Sequence, residues 1–293
     1  MQSVLQILDG WIRSFRETVN VMTHKSYWPL PDDLAILHDA VIDYAVAVQK
    51  AAAERHEKKP DHPLSHGALF TLHWRAIIIH RAIRALSVTG WTPVVSILVR
   101  TMLDIIASCY AIVAKPEDAE YMGFKYMGSY LIQALKEGDY PEEVLKFDQE
   151  QLDKLRAQAK GADVARVDQF IKDYKPHLYW YRPEYESAGA ILETVSTDLF
   201  STYRVFSSAV HGGFLGSALF DDTPDMADVN PHEHPRRTRA AIVMSSRNLL
   251  ELSYMRDRFE SAGLDEQYKT IMKDLYLRQK AKMDPAPAPK AKS

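Results

Sequence analysis

Apolar residues recur every three or four positions in nearly every periodic segment of this 293-residue chain, which is the spacing of one face of an α-helix. No segment alternates apolar and polar residues as a half-buried β-strand does. Glycines such as Gly90 and Gly263 follow the last periodic residue of a segment, where helices usually end. The missing strands exclude doubly wound and barrel folds. The sequence therefore predicts an all-α protein, a single multi-helix bundle of about nine or ten helices. Two of the predicted helices cover residues 3–22 and about 184–195.

The most apolar stretch, Val94 to Ala114, is long enough to cross a bilayer. Arg100 and Asp104 lie near its middle, however, and each charge is costly in hydrocarbon. Thr92 and Pro93 precede the stretch and are typical of the start of a soluble helix. We therefore predict that the helix at 93–114 is the buried apolar helix at the centre of the bundle, and we expect no contact with a membrane.

Composition limits the classes of partner and the cellular location. Lysine plus arginine total 36 against 39 aspartate plus glutamate, so no overall basic excess indicates nucleic acid or an anionic membrane. Residues 1–15 lack the basic start and apolar block of a signal peptide, and a cytoplasmic location is expected. The single cysteine, Cys109, excludes an intrachain disulfide and is expected to be a buried thiol. We predict one domain over residues 1–280 and a disordered Lys/Pro/Ala tail over 281–293.

Metal and cofactor signals are weak. His66, His73 and His80 follow one another at seven-residue steps and so share a helix face. Consecutive histidines at this spacing are about 10.5 Å apart along the axis, too far to bind one ion. The chain also lacks a Gly-x-Ser-x-Gly nucleophile motif and a phosphate-binding glycine loop. We predict no metal site and no cofactor.

Arg100 and Asp104 are one helical turn apart in an otherwise apolar helix. An unpaired charge is expensive to bury, so the two side chains are expected to pair and to find further partners. Two interpretations follow. In one, the pair is a structural salt bridge inside the bundle; in the other, Arg100 binds an anionic ligand while Asp104 orients a histidine.

A second polar group lies on the helix that carries Tyr203, Arg204, Ser207 and His211. Arg204 and His211 are seven residues apart, which places them within about 20° of each other around the helix. Such a pair can act on a phosphodiester, because arginine stabilises the developing charge and imidazole moves a proton near neutral pH. Alternatively, His211 is a core histidine that forms a hydrogen bond with a carboxylate such as Asp104.

An aromatic loop precedes this helix, and its central residue is Trp180, between Tyr179 and Tyr181. Exposed aromatic rings stack on the bases of single-stranded RNA. Such a cluster also serves to pack a loop onto the core. Both interpretations of Trp180 stay open at this point.

The order of these motifs resembles DUF5677, a widespread bacterial domain of unknown function, over about residues 70–220. The resemblance is carried by a Leu-x-Arg segment, a Tyr-rich helix, Trp180, and a Tyr-Arg-x-x-Ser-x-x-x-His segment that ends at His211. Asp104 stands where the family has glutamate, so the carboxylate is kept with a shorter reach. The resemblance implies a helical protein and no established activity. It further implies that a set of five side chains converges: Arg100, Asp104, Tyr203, Ser207 and His211.

The spacing of Arg204 and His211 also resembles the Arg-x(4–6)-His motif of HEPN proteins, which are helical ribonucleases and nucleotide-binding proteins. This resemblance implies a metal-independent ribonuclease of a toxin or defence system. In it, Arg204 would hold the scissile phosphate of RNA and His211 would act as acid and base, with Arg100, Asp104, Tyr203, Ser207 and Trp180 as binding residues. It also implies a homodimer in which two such helices face each other. The alternatives are a non-enzymatic interaction or ligand-binding protein, in which these residues form a buried polar network, and an enzyme acting on a small molecule in the same pocket.

Overall fold

The computed structural model describes residues 32–87, 92–159, 162–176, 179–210 and 234–283, and within them it contains ten α-helices and no strand. The all-α prediction is confirmed. The helices are α1 (Asp32–Lys58), α2 (Pro63–Ser87), α3 (Thr92–Val113), α4 (Ala119–Glu137), α5 (Glu142–Gln158), α6 (Ala162–Asp173), α7 (Ala188–Val195), α8 (Thr197–Val210), α9 (His234–Glu260) and α10 (Asp265–Met283). A single 3-10 turn, Pro116–Asp118, leads into α4.

Four helices, α1, α2, α3 and α9, form the inner bundle, in which α9 packs against each of the other three. The α3 helix confirms the buried apolar helix predicted at 93–114, because Val99, Met102, Leu103 and Ile106 are fully buried. The stretch Val94–Val113 is long and apolar enough to cross a membrane, but 61% of its apolar window is buried against other helices. That is the burial of a core helix in a soluble protein. Cys109, on the same helix, is buried as predicted, and burial raises the pKa of its thiol.

The other helices cover this bundle from outside. The α4 helix packs on α2 and α3, and its Gly123 lets the backbone of α4 approach that of Ser65 at the start of α2. The α5 and α6 helices both pack on α4, and an Arg156–Asp168 ion pair joins them. The α7–α8 pair packs on α3, and α10 packs on α1 and α9. The contact of α3 with α8 positions the candidate site.

Helix boundaries follow the predicted starts and stops closely, with two differences. The chain forms turns up to Glu184, so α7 begins at Ala188 instead of 184, and the Ser187 side chain accepts a hydrogen bond from the Ala190 N–H to cap it. The α10 helix runs to Met283 and therefore includes the first three residues of the predicted tail. The predicted helix over 3–22, Gly90 and the remaining tail lie outside the described residues.

Candidate functional site

Arg100 joins the two polar groups that the sequence singled out. From α3, its Nε donates to the Ser207 hydroxyl at 2.7 Å and its Nη2 donates to the Tyr203 hydroxyl at 2.6 Å, both on α8. Its Nη1 forms an ion pair with the Asp104 carboxylate one turn along α3. We call these four residues the Arg100 clamp. The clamp ties α3 to α8 through two nitrogens of the guanidinium, while the third pairs with Asp104 on α3 itself.

The clamp is buried at Arg100 and exposed to solvent at Asp104. The Arg100 side chain is 14% exposed, whereas that of Asp104 is 46% exposed. The guanidinium carbon also lies 3.8 Å from the centroid of the Tyr203 ring, a cation–π contact. Burial raises the pKa of Tyr203, although the Arg100 charge opposes this shift. The Tyr203 hydroxyl therefore stays protonated at neutral pH and both donates and accepts hydrogen bonds.

The structure describes one of the two predicted catalytic residues. Arg204 is exposed on α8, and its guanidinium lies 5.9 Å from the centroid of the Phe200 ring instead of joining the clamp. His211 lies outside the described residues. The structure thus brings Tyr203 and Ser207 to Arg100, while the pairing of Arg204 with His211 stays a prediction.

The aromatic loop places Trp180 and Tyr179 in different surroundings. Trp180 packs against the core and meets the Tyr126 ring edge-on at 5.4 Å. Tyr179 is 60% exposed, and its ring stacks nearly flat on that of Tyr181 at 5.3 Å. Burial, with contributions from the Tyr179 and Tyr203 hydroxyls and from Asp104, raises the pKa of Tyr181 to about 12. The loop thus packs Trp180 and Tyr181 against the core and leaves Tyr179 exposed.

A cavity of about 460 Å³ lies between the end of α6 and the aromatic loop. We call it the aromatic-loop cavity. Aromatic rings form much of its wall, and two cations and two carboxylates also line it. Its lining residues are Phe170, Asp173, Tyr174, Lys175, Tyr179, Arg182, Pro183, Tyr185 and Glu186.

Lys125 holds the loop beside this cavity. It lies on α4, is fully buried, donates to the Arg182 carbonyl at 2.7 Å and forms an ion pair with Glu184. Burial lowers the pKa of Lys125, and the Glu184 carboxylate opposes that shift. Lys125 was not identified from the sequence, because a single lysine in a tyrosine-rich helix has no distinctive spacing. The one signal in the sequence was a charged residue at a position where the helical spacing places side chains toward the core.

The three histidines at seven-residue spacing contact α9 in three separate places. The distance from His66 Nδ1 to Glu260 Oε1 is 2.8 Å, from His73 Nε2 to Ser253 Oγ 2.8 Å, and from His80 Nδ1 to Ser245 Oγ 2.9 Å. Each histidine is thus part of the α2–α9 interface. In the part of the chain that the structure describes, no group of three histidine, cysteine or carboxylate side chains is placed to hold a metal ion.

Comparison with known proteins gives one match. A model of the family of unknown function DUF5677 matches residues 66–226, more than half of the 293 residues. This range contains the Arg100 clamp, the aromatic loop and the aromatic-loop cavity. No curated protein and no solved structure matches the chain. These comparisons do not test the resemblance to HEPN proteins, which stays a prediction.

Proposed function

The chain belongs to the family of unknown function DUF5677, whose description carries no activity, and from its geometry we propose that it is a non-enzymatic protein that binds a nucleotide, free or within RNA, in the aromatic-loop cavity. The observation that carries the proposal is the cavity itself. Its volume falls within the range of about 300–1,000 Å³ that is typical of ligand sites.

The lining of the cavity suits the three parts of a nucleotide. The rings of Tyr174, Tyr179 and Tyr185 offer stacking surfaces for a base. Lys175 and Arg182 supply positive charge for a phosphate. The carboxylates at the same wall can accept hydrogen bonds from ribose hydroxyls or from base amino groups. A purely apolar ligand would take water away from these charges and offer them no hydrogen bond in return.

The Arg100 clamp supports binding over catalysis. Its guanidinium already donates to Ser207 and Tyr203, and the remaining nitrogen, Nη1, is buried beside Asp104, so Arg100 is not open to a substrate phosphate. In this proposal the clamp is a structural network that fixes α8 on α3. A non-enzymatic ligand-binding protein, in which these residues form a buried polar network, is one of the alternatives that the sequence leaves open.

Equilibrium titration of the full chain with the four ribonucleoside monophosphates and with a short single-stranded RNA tests the proposal. Tyr179→Ala should weaken binding about tenfold or more, because stacking of a base on an aromatic ring contributes about 1–3 kcal/mol. Tyr130→Ala, at an exposed tyrosine on α4, is the matched control and should leave the affinity unchanged. The proposal fails if no nucleotide binds at millimolar concentration, or if Tyr179→Ala binds as the unchanged chain does.

A second candidate is the metal-independent ribonuclease of a bacterial, cytoplasmic toxin or defence system. The exposed guanidinium of Arg204 favours it, since that group is accessible to a phosphodiester on a helix held firmly by the clamp. With a chelator present, the chain should cut single-stranded RNA to a cyclic phosphate, and Arg204→Ala and His211→Ala should each abolish cutting. Sedimentation should then show a homodimer, in which two such helices face each other and form one cleft. A strict monomer would exclude a ribonuclease site that is shared between two chains. Binding without cleavage across a broad RNA panel would reject the ribonuclease candidate.

A further inference from the structure

Three large apolar side chains form an exposed line on the outer face of α2. Phe70, Trp74 and Ile78 are 40%, 44% and 47% exposed, and they follow one another at four-residue steps along one ridge of the helix. We call them the α2 stripe. Single exposed apolar residues are ordinary, whereas a continuous line of three is a candidate surface for packing by another element.

The direction of α1 shows which end of the stripe the preceding chain approaches. Asp39 near the start of α1 pairs with Arg84 near the end of α2 at 2.6 Å, while the rings of His56 and His66 stack at the opposite end. The two helices are therefore antiparallel. Residues before Asp32 consequently enter at the end of α2 that is nearer to Ile78.

The segment that enters there has the pattern of an amphipathic helix. Its apolar residues over 3–22 recur at helical spacing: Val4, Leu5, Leu8, Trp11, Ile12 and Phe15. A helix of this length is about 30 Å long, whereas the stripe spans about 12 Å along α2. The nine residues from 23 to 31 can bridge up to about 30 Å, which exceeds the roughly 18 Å along α2 between the level of Asp32 and Ile78.

From these observations we propose that the segment 3–22 packs its apolar face on the α2 stripe of its own chain. Three observations point to this segment: the direction from which the chain enters α1, the length of the connecting residues 23–31, and the helical spacing of its apolar residues. The opposite tail, 284–293, consists of aspartate, proline, alanine, lysine and serine, so it has no large apolar side chain to place there.

A photo-cross-linking experiment on the full chain tests this inference. Benzoylphenylalanine replaces Trp74, is activated by light, and the product is separated by mass and sequenced by mass spectrometry. We expect a product of single-chain mass in which position 74 is joined to a peptide from residues 3–22. The matched control carries the same photoreactive residue in place of Tyr130, which is exposed on α4, and should not give that product.

Other results would overturn the proposal. A product of twice the chain mass would show that a second copy covers the stripe, and a joined peptide outside 3–22 or the lack of any product would exclude this segment. A second variant tests the apolar face of the segment itself. Leu8→Glu with Ile12→Glu should reduce the cross-link at position 74 to the level of the Tyr130 control, while most of the helical circular dichroism of the chain is kept. An unchanged cross-link would contradict the proposed packing.

Discussion

Arg256 illustrates what a buried charge requires in this molecule. Its Nε lies 3.0 Å from Glu260 Oε2, and its Nη1 donates to the Gln49 side chain and lies 3.0 Å from His73 Nδ1. Burial alone would raise the pKa of Glu260, but the hydrogen bond with His66 and the charge of Arg256 lower it. The ion pair itself lies within α9, and the contacts of Arg256 with Gln49 and His73 join α9 to α1 and α2.

Replacing Arg256 by methionine keeps much of the side-chain volume and removes the charge. It leaves the Glu260 carboxylate buried without its cation, and breaking a buried pair in this way costs about 3–5 kcal/mol. Denaturant unfolding measures the change. Arg258→Met, two residues later at an exposed position, should change the free energy of unfolding by less than about 0.5 kcal/mol. A loss below about 1 kcal/mol at Arg256 would show that the network contributes little.

The buried histidines make stability depend on pH. Burial lowers the pKa of His73 and of His80 well below 6.5, their ordinary value. Below pH 6.5 the unfolded chain therefore binds protons that the folded chain does not bind, so stability is full above that pH and falls as the pH decreases. Each histidine contributes a slope of about 1.4 kcal/mol per pH unit. Urea unfolding between pH 7.5 and 5 should show this loss.

Substitution of single histidines shows which of them cause the dependence of stability on pH. His73→Asn and His80→Asn should each reduce the dependence of unfolding free energy on pH, whatever their effect on stability at pH 7.5. His62→Asn, at an exposed histidine, should leave the dependence unchanged. An unaltered slope in both buried variants would mean that other groups cause the acid loss.

Sequence spacing predicted some of these residues and not others. One helical turn between Arg100 and Asp104 identified the pair, and the apolar surroundings required more partners, which Tyr203 and Ser207 supply. Spacing along a single helix could not show how that helix is rotated in the bundle. Contacts with Arg100 turn Tyr203 and Ser207 inward, and Arg204, the residue after Tyr203, therefore faces solvent.

At the scale of elements, local signals predicted the helix ends well. Gly138 and Gly263 both have positive φ, 70° and 82°, which is the conformation that ends a helix and that glycine adopts without strain. The start of α7 was misplaced, because its local sequence is compatible with an earlier start. Contacts of the aromatic loop with the distant Lys125 instead hold residues up to Glu184 in turns. Such tertiary contacts are not visible in local sequence.

The packing of α4 on α2 depends on the small size of Gly123. A Cβ at this position would lie 2.6 Å from the Ser65 backbone nitrogen, so the two helices would have to separate. Gly123→Ala should therefore destabilise the chain by about 2 kcal/mol, despite the better helix propensity of alanine. At Gly128 a Cβ would meet side chains and no backbone: the edge of the Phe124 ring at 3.3 Å and Leu152 Cδ1 at 3.7 Å. Thermal unfolding should thus show a clear loss for Gly123→Ala and a small change for Gly128→Ala, and equal effects would contradict the predicted close approach.

At the scale of the whole molecule, α3 serves both the core and the candidate site. One part of its surface packs in the inner bundle against α2 and α9, while Arg100 extends from it to α8. The clamp lies where the inner bundle meets the α7–α8 pair, and the aromatic loop and its cavity lie next to it. In this account the bundle and the clamp provide a rigid base, and the cavity receives the ligand.

Urea unfolding of Arg100→Met beside Arg204→Met tests this account most directly. If Arg100 is a structural clamp, its replacement removes two charge-assisted hydrogen bonds and a cation–π contact, and the free energy of unfolding should fall by about 2–3 kcal/mol. Arg204→Met, at the exposed neighbour on α8, should change it by less than about 0.5 kcal/mol. If Arg100→Met unfolds at the same urea concentration as the unchanged chain, Arg100 does not hold α3 to α8, and the clamp is a ligand or substrate site instead.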